Sequence, residues 1–141
     1  MNYLEIVNWE VVYRLFLATC LGAFIGAERS FFKKQAGIRT FALVSLGACL
    51  FSYLGLSLDS SSPSRVLSNL AVGIGFLGAG VIFLHEEKVI GLTTAASLWV
   101  ATAIGAAVGL GYYPEAFFTT IFSLLILSLL NYLERLIRKE Q

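Results

Sequence analysis

The sequence predicts an all-α fold, a polytopic membrane bundle of five transmembrane helices forming one membrane domain over residues 1–141. Three observations predict it. Of 141 residues, 57% are hydrophobic and 13% charged, against roughly a quarter charged in a typical soluble domain, so most of the surface cannot be charged side chains facing water. The nine acidic and ten basic residues collect in short stretches between long runs that hold few or none, as in a chain that crosses a bilayer repeatedly. Five of those runs approach the ~20 apolar residues a helix needs to cross a hydrocarbon core of about 30 Å.

The expected spans are about 11–27, 38–58, 66–84, 91–110 and 115–133, each bounded by charge, Gly, Pro or Ser. The first ten residues carry Glu5 and Glu10 but no Lys or Arg. They lack the basic leader of a secretory signal, so the first span is expected to be retained. Connections are short, which makes consecutive helices antiparallel neighbours. The longest, residues 59–65, is a polar turn of serines and Pro63. The first connection holds Arg29, Lys33, Lys34 and Arg39 against Glu28, and the C-terminal tail adds Arg135, Arg138 and Lys139. The positive-inside rule then places the N-terminus outside and the C-terminus in the cytoplasm. An odd number of spans requires the same.

"GIGFLGAG", residues 73–80, matches the spacing of a dinucleotide-binding fingerprint. That motif must follow a strand, open a helix and precede an acidic ribose ligand; here it sits within an uncharged run long enough to span. Read as helix at about 100° per residue, the run sorts its side chains. Leu70, Ile74, Leu77, Val81 and Leu84 share one arc, expected to face lipid. Ser68, Ala71, Gly75, Gly78 and Ala79 occupy a second, and Asn69, Gly73 and Gly80 a third. Small residues mark membrane helix interfaces, where dispersion and close approach replace the hydrophobic effect. The third helix is therefore expected to be central, with neighbours on both sides. Ala18, Gly22 and Gly26 form a small-residue seam on the first. The fourth is small nearly all round, so it should be enclosed; the bulky fifth suits a lipid-facing periphery.

Ionisable groups inside a membrane are functional candidates. Arg14 follows Glu10 by four residues, which favours a snorkelling pair. Glu28 ends the first helix and Arg39 opens the second, so the two can pair across the short loop. Asn69 needs a partner for its amide. Thr93, Thr94, Ser97 and Thr102 supply hydroxyls that line a path or bond to their own helix carbonyls. His85 reads as an exposed loop residue, and Cys20 and Cys49 as buried thiols. The sequence offers no hydrolase triad, no paired carboxylates at one depth and no zinc set. Few acidic groups are available for a dehydrated cation, which speaks against a dedicated Mg²⁺ cage. No enzyme activity, cofactor, metal site or nucleic-acid partner is expected.

The stretches "LGAFIGAERS", "AGIRTFALVSLGA", "SRVLSNLAVGIGFLGAGVIF" and "GLTTAASLWVATAIGAAVGLG" resemble, in order and spacing, the MgtC/SapB family of bacterial membrane proteins. The resemblance runs over roughly residues 14–112. It implies a bundle in the cytoplasmic membrane, a link to growth in low magnesium and, in intracellular pathogens, to virulence. It also implies modulation of other membrane proteins, the ATP synthase among them, rather than Mg²⁺ transport. The family's charged and polar positions fall on Glu28, Arg29, Arg39, Thr40, Arg65, Asn69, Thr93, Thr94 and Trp99. There are departures: Ser62-Pro63-Ser64-Arg65 replaces the usual Asp-Pro before the arginine, with Asp59 three residues earlier; Asn69 replaces a glutamine; Ile90 replaces a basic residue. The longer members' cytoplasmic C-terminal domain is absent from the short form expected here.

Two readings follow. One is a non-enzymatic modulator acting through helix contacts with partners and with itself. The other is an oligomeric ion or small-solute transporter or channel, its path lined by Asn69, Gly73, Gly80, Thr93, Thr94 and the Glu28/Arg39 pair.

Overall fold

The computed structural model of the chain describes residues 8–58, 63–85, 88–132 and 137. The elements are α1 (Trp9–Phe31), α2 (Ile38–Leu58), α3 (Pro63–Gly80), β1 (Phe83–His85), β2 (Lys88–Ile90), α4 (Leu92–Leu110) and α5 (Tyr113–Leu125). A π-helical turn, Ile126–Leu130, continues α5. The architecture is all-α apart from one short hairpin. Among the described residues, four stretches are long and apolar enough to cross a membrane: α1, α2, α4 and Tyr113–Leu130. α3 is outside that group because Ser64, Arg65, Ser68 and Asn69 crowd its first half with polar groups. Asp59, Glu5, Arg135, Arg138 and Lys139 lie outside the described residues.

Local chemistry sets the helix ends. The Asn8 side chain accepts a 3.1 Å bond from the Glu10 N–H and starts α1. At the other end the Phe32 N–H reaches Glu28 O, and Lys33 adopts φ 52°, turning the chain. Ser30 Oγ then accepts the Ile38 N–H at 3.1 Å and satisfies one of the free donors that open α2.

The core is built on close backbone approach among α1, α2 and α4. A Cβ added at Gly22 would lie 2.6 Å from Phe41 O and from Ser45 Cβ; at Gly26 it would lie 2.7 Å from Ile38 Cα. Ala18, one turn earlier, is fully buried. From the other side, Cβ atoms at Gly105 and Gly109 would collide with the carbonyl oxygens of Ser45 and Cys49. Ser45 faces Gly105 and Cys49 faces Gly109, so α2 and α4 run parallel. α4 is the enclosed element: Leu98, Ala101, Ile104 and Val108 are buried, and it touches α1, α2, α3 and α5. α5 is peripheral, burying Ala116, Thr120 and Leu127 while Phe117, Phe118 and Phe122 face outward.

α3 departs from expectation in three ways. It is not central, since it rests on α4 and only lightly on α2. Its bulky arc is divided: Ile74 is buried in the core cluster and Val81, just past the helix, packs against it, while Leu77 and Leu84 stay exposed. Its glycines face out, as Cβ atoms at Gly73, Gly75 or Gly80 would meet nothing within 4 Å, and Ala79 is exposed. Gly78 alone of that group packs, with Ala95 of α4 at 3.6 Å. The physical reason is that lipid tails and protein interior are both apolar, so periodicity separates the faces of a membrane helix without saying which is inside.

The helix also stops at Gly80, short of the expected 84. Phe83 and Leu84 enter the hairpin, paired with Ile90 and Val89, and His85 pairs with Lys88. Gly91 closes it at φ 93°. A Cβ there would strike the Val81 carbonyl, so both the backbone angle and the approach call for glycine.

Candidate functional site

The ends of α1 and α5 meet the start of α4 at one end of the bundle, the end rich in basic residues. Between them opens a cleft of about 750 Å³ lined by Arg29, Lys34, Gln35, Thr93, Thr94 and Asn131 with apolar neighbours from the hairpin and the π-helical turn. Arg29 lies in the last turn of α1, where a cation meets the negative end of the helix. Its side chain is 2% exposed. Glu28 holds it with both oxygens: Oε2 accepts from Nε, and Oε1 accepts from Nη2 at 2.6 Å. Such a two-point pair fixes the guanidinium plane.

Across the cleft, Thr94 is 1% exposed and donates from Oγ1 to Gln35 Oε1 at 3.0 Å. That bond ties the α1–α2 loop to the first turn of α4. Ala36, beside it, is buried and anchors the loop. Thr93 is exposed on the same turn. α4 begins with no side-chain cap, leaving its first N–H groups open toward this end. The π-helical turn in the opposite wall is a rare feature, frequent at functional sites.

Among the described residues the cleft does not continue as a polar path. A separate pocket of about 130 Å³ shares its Thr93 and Leu127 and adds Ile25, Val100, Ser97 and Ser123. The hydroxyls at that depth are turned back on their own helices. Ser97 donates to Thr93 O at 2.6 Å and Ser123 to Thr119 O at 2.6 Å. Elsewhere along α4 the seam is the close backbone contact of α2 with Gly105 and Gly109.

The sequence candidates therefore divide. Glu28, Arg29, Thr93 and Thr94 come together at the cleft. Arg39 and Thr40 are exposed at the start of α2, and Glu28 pairs with Arg29, not with Arg39. The reason is reach: adjacent residues in the last turn of α1 close the pair without spanning the loop. Arg65 and Trp99 are exposed. Asn69 and Gly73 lie apart from the cleft, on an apolar groove of about 830 Å³ between α2 and α3 that also includes Thr102. Sequence reasoning missed Gln35 and Asn131. An amide in a short loop and another in an apolar run were the available signals, and only folding brings both to Arg29 and Thr94.

At the other end, Arg14 pairs with Glu10, donates from Nη1 to Gly109 O at 2.7 Å, and lies 5.7 Å from the ring centres of Tyr53 and Tyr113. Cys20 is half-buried and Cys49 buried, both free thiols. Among the described residues, no three His, Cys, Asp or Glu side chains gather as a metal-binding group.

The model of the MgtC family matches residues 15–136. The chain belongs to the MgtC family. Protein MgtC of Salmonella typhimurium is 44% identical over 120 residues, 85% of this chain and 52% of that protein. YhiD of Escherichia coli K12, which carries the provisional name of a magnesium transporter, is 38% identical over 133 residues, 88% of this chain and 62% of its own. SrpB of Synechococcus elongatus is 38% identical over 139 residues, 88% of this chain and 76% of its own. The chain spans about half the length of the MgtC proteins it matches. No solved structure gives a significant match.

Proposed function

We propose that this chain is a non-enzymatic protein of the bacterial cytoplasmic membrane that supports adaptation to low magnesium by modulating other membrane proteins. One observation carries the reading: beside the cleft at the basic end the described residues give apolar packing and self-bonded hydroxyls, and on this reading the chain binds at one face instead of conducting across the bilayer. α3 completes five spans in this proposal. α2 and α4 run parallel, and if both cross the bilayer the chain between them must return across it. The basic end then faces the cytoplasm together with the C-terminus. The open glycine face of α3, with Asn69 beside it, is the surface offered to other membrane proteins, to a second copy or, by family resemblance, to the ATP synthase. Deleting the gene tests this: slower growth in low Mg²⁺ and an altered membrane potential are expected, and unchanged values for both reject it.

A second reading, an oligomeric ion or small-solute transporter, draws on the cleft's opening at one face and on the name carried by YhiD. It requires a second copy to supply the path that one chain lacks. Flux into liposomes separates the two.

A further inference from the structure

We propose that the cleft at the basic end binds a phosphate group, from a lipid headgroup or as free phosphate, held by Arg29, Lys34 and the first turn of α4. The proposal rests on reading this cleft as the working site. Arg29 carries it. Its guanidinium is almost wholly buried and lines the cleft, and Glu28 occupies Nε and Nη2. Nη1 has no hydrogen-bond partner among the described residues. That nitrogen is not among the fully buried unpartnered atoms, so it opens to the cleft, where an acceptor can take it in place of solvent.

Three further features agree on the sign of that acceptor. Among the described residues of the lining the charged ones are Arg29 and Lys34, with Glu28 paired to Arg29 behind them. α4 is 19 residues long, begins without a side-chain cap, and directs its open N–H groups and positive end to the same place. Thr93 places an exposed hydroxyl on that first turn. A phosphate oxygen suits all of these donors, and Arg matches phosphate geometry at two points. A Mg²⁺ ion needs oxygen ligands and finds no carboxylate among the described residues of the lining. The apolar rim of Val89, Ile90, Leu92 and Leu130 gives a lipid's glycerol and first methylenes a place beside the headgroup.

The full chain is tested in two arms. In a phosphate-free detergent, inorganic phosphate is titrated and bound ligand measured by equilibrium dialysis. In mixed phosphatidylcholine and phosphatidylglycerol nanodiscs, the retained lipid is identified by native mass spectrometry. Lys34→Gln combined with Thr93→Val changes two exposed side chains and leaves the buried Arg29–Glu28 pair in place, so melting should not move; Arg29→Lys is the second variant. Saturable phosphate binding supports the free ion, and selective retention of phosphatidylglycerol supports the headgroup. Either should weaken roughly tenfold in the double variant, the size of one lost charge-assisted contact. Binding in neither arm, equal binding by the double variant, or binding of Mg²⁺ alone at this cleft overturns the proposal. The modulator reading is judged separately by the deletion strain, so an empty cleft with an intact growth phenotype rejects only the phosphate.

Discussion

Thr94 of α4, itself 1% exposed, holds the exposed Gln35 of the α1–α2 loop by a 3.0 Å hydrogen bond. The two residues are distant in sequence and belong to different turns, so the bond fixes the mouth of the cleft. Thr94→Val should therefore remove the tie, leave the exposed Gln35 amide to water, and lower stability by about 0.5–1.5 kcal/mol. Thermal unfolding in detergent should show the loss. Thr93→Val on the exposed neighbour should not.

Gly105 and Ser45 give opposite outcomes at one contact. Gly105→Ala would drive a methyl into the Ser45 backbone, and overpacking of this kind costs about 1–3 kcal/mol or more. Ser45 Oγ is buried without a partner, so Ser45→Ala should be neutral or slightly stabilising. Melting temperatures of the two variants, measured side by side, check the sign of each.

Gly75→Ala separates folding from docking. Nothing lies within 4 Å of the added Cβ, and Ala is the better helix former by about 1 kcal/mol, so the isolated chain should melt no lower. Gly75→Leu should still fold but lose complementation of the deletion strain in low Mg²⁺ if the open face of α3 meets a partner. Complementation as full as that of the unchanged chain would remove this face from the account.

Arg14 is expected to be structural. Its removal breaks the bond to Gly109 O, the pair with Glu10 and the contacts with Tyr53 and Tyr113. Arg14→Met should cost about 2–3 kcal/mol, whereas Glu10→Gln, at an exposed partner, should cost under about 1 kcal/mol. Denaturation in mixed micelles compares them.

The four apolar spans were legible because length and missing charge are properties of the chain itself. The enclosure of α4 was legible too, since small residues on every side have no other use in a membrane. The orientation of α3 was not, because a stripe of Leu and Ile suits lipid and protein alike, and Ile74 went inward while Gly73 and Gly75 went outward. The hairpin was hidden because Phe83 and Leu84 prolong an apolar run that reads as helix. At the cleft, Arg29, Thr93 and Thr94 could be named from sequence. Gln35, Asn131 and the choice of Arg29 over Arg39 as the partner of Glu28 depend on how the loop folds back, which no local pattern encodes.

The central claim is that a single chain offers a polar cleft at one face and no polar path beyond it. Mg²⁺ flux into liposomes holding the purified full chain tests it most directly, with phosphatidylglycerol present and the potential clamped. The account predicts uptake no faster than in empty vesicles, for the unchanged chain and for Thr94→Val alike. Saturable uptake that falls in Thr94→Val or Arg29→Lys would contradict it.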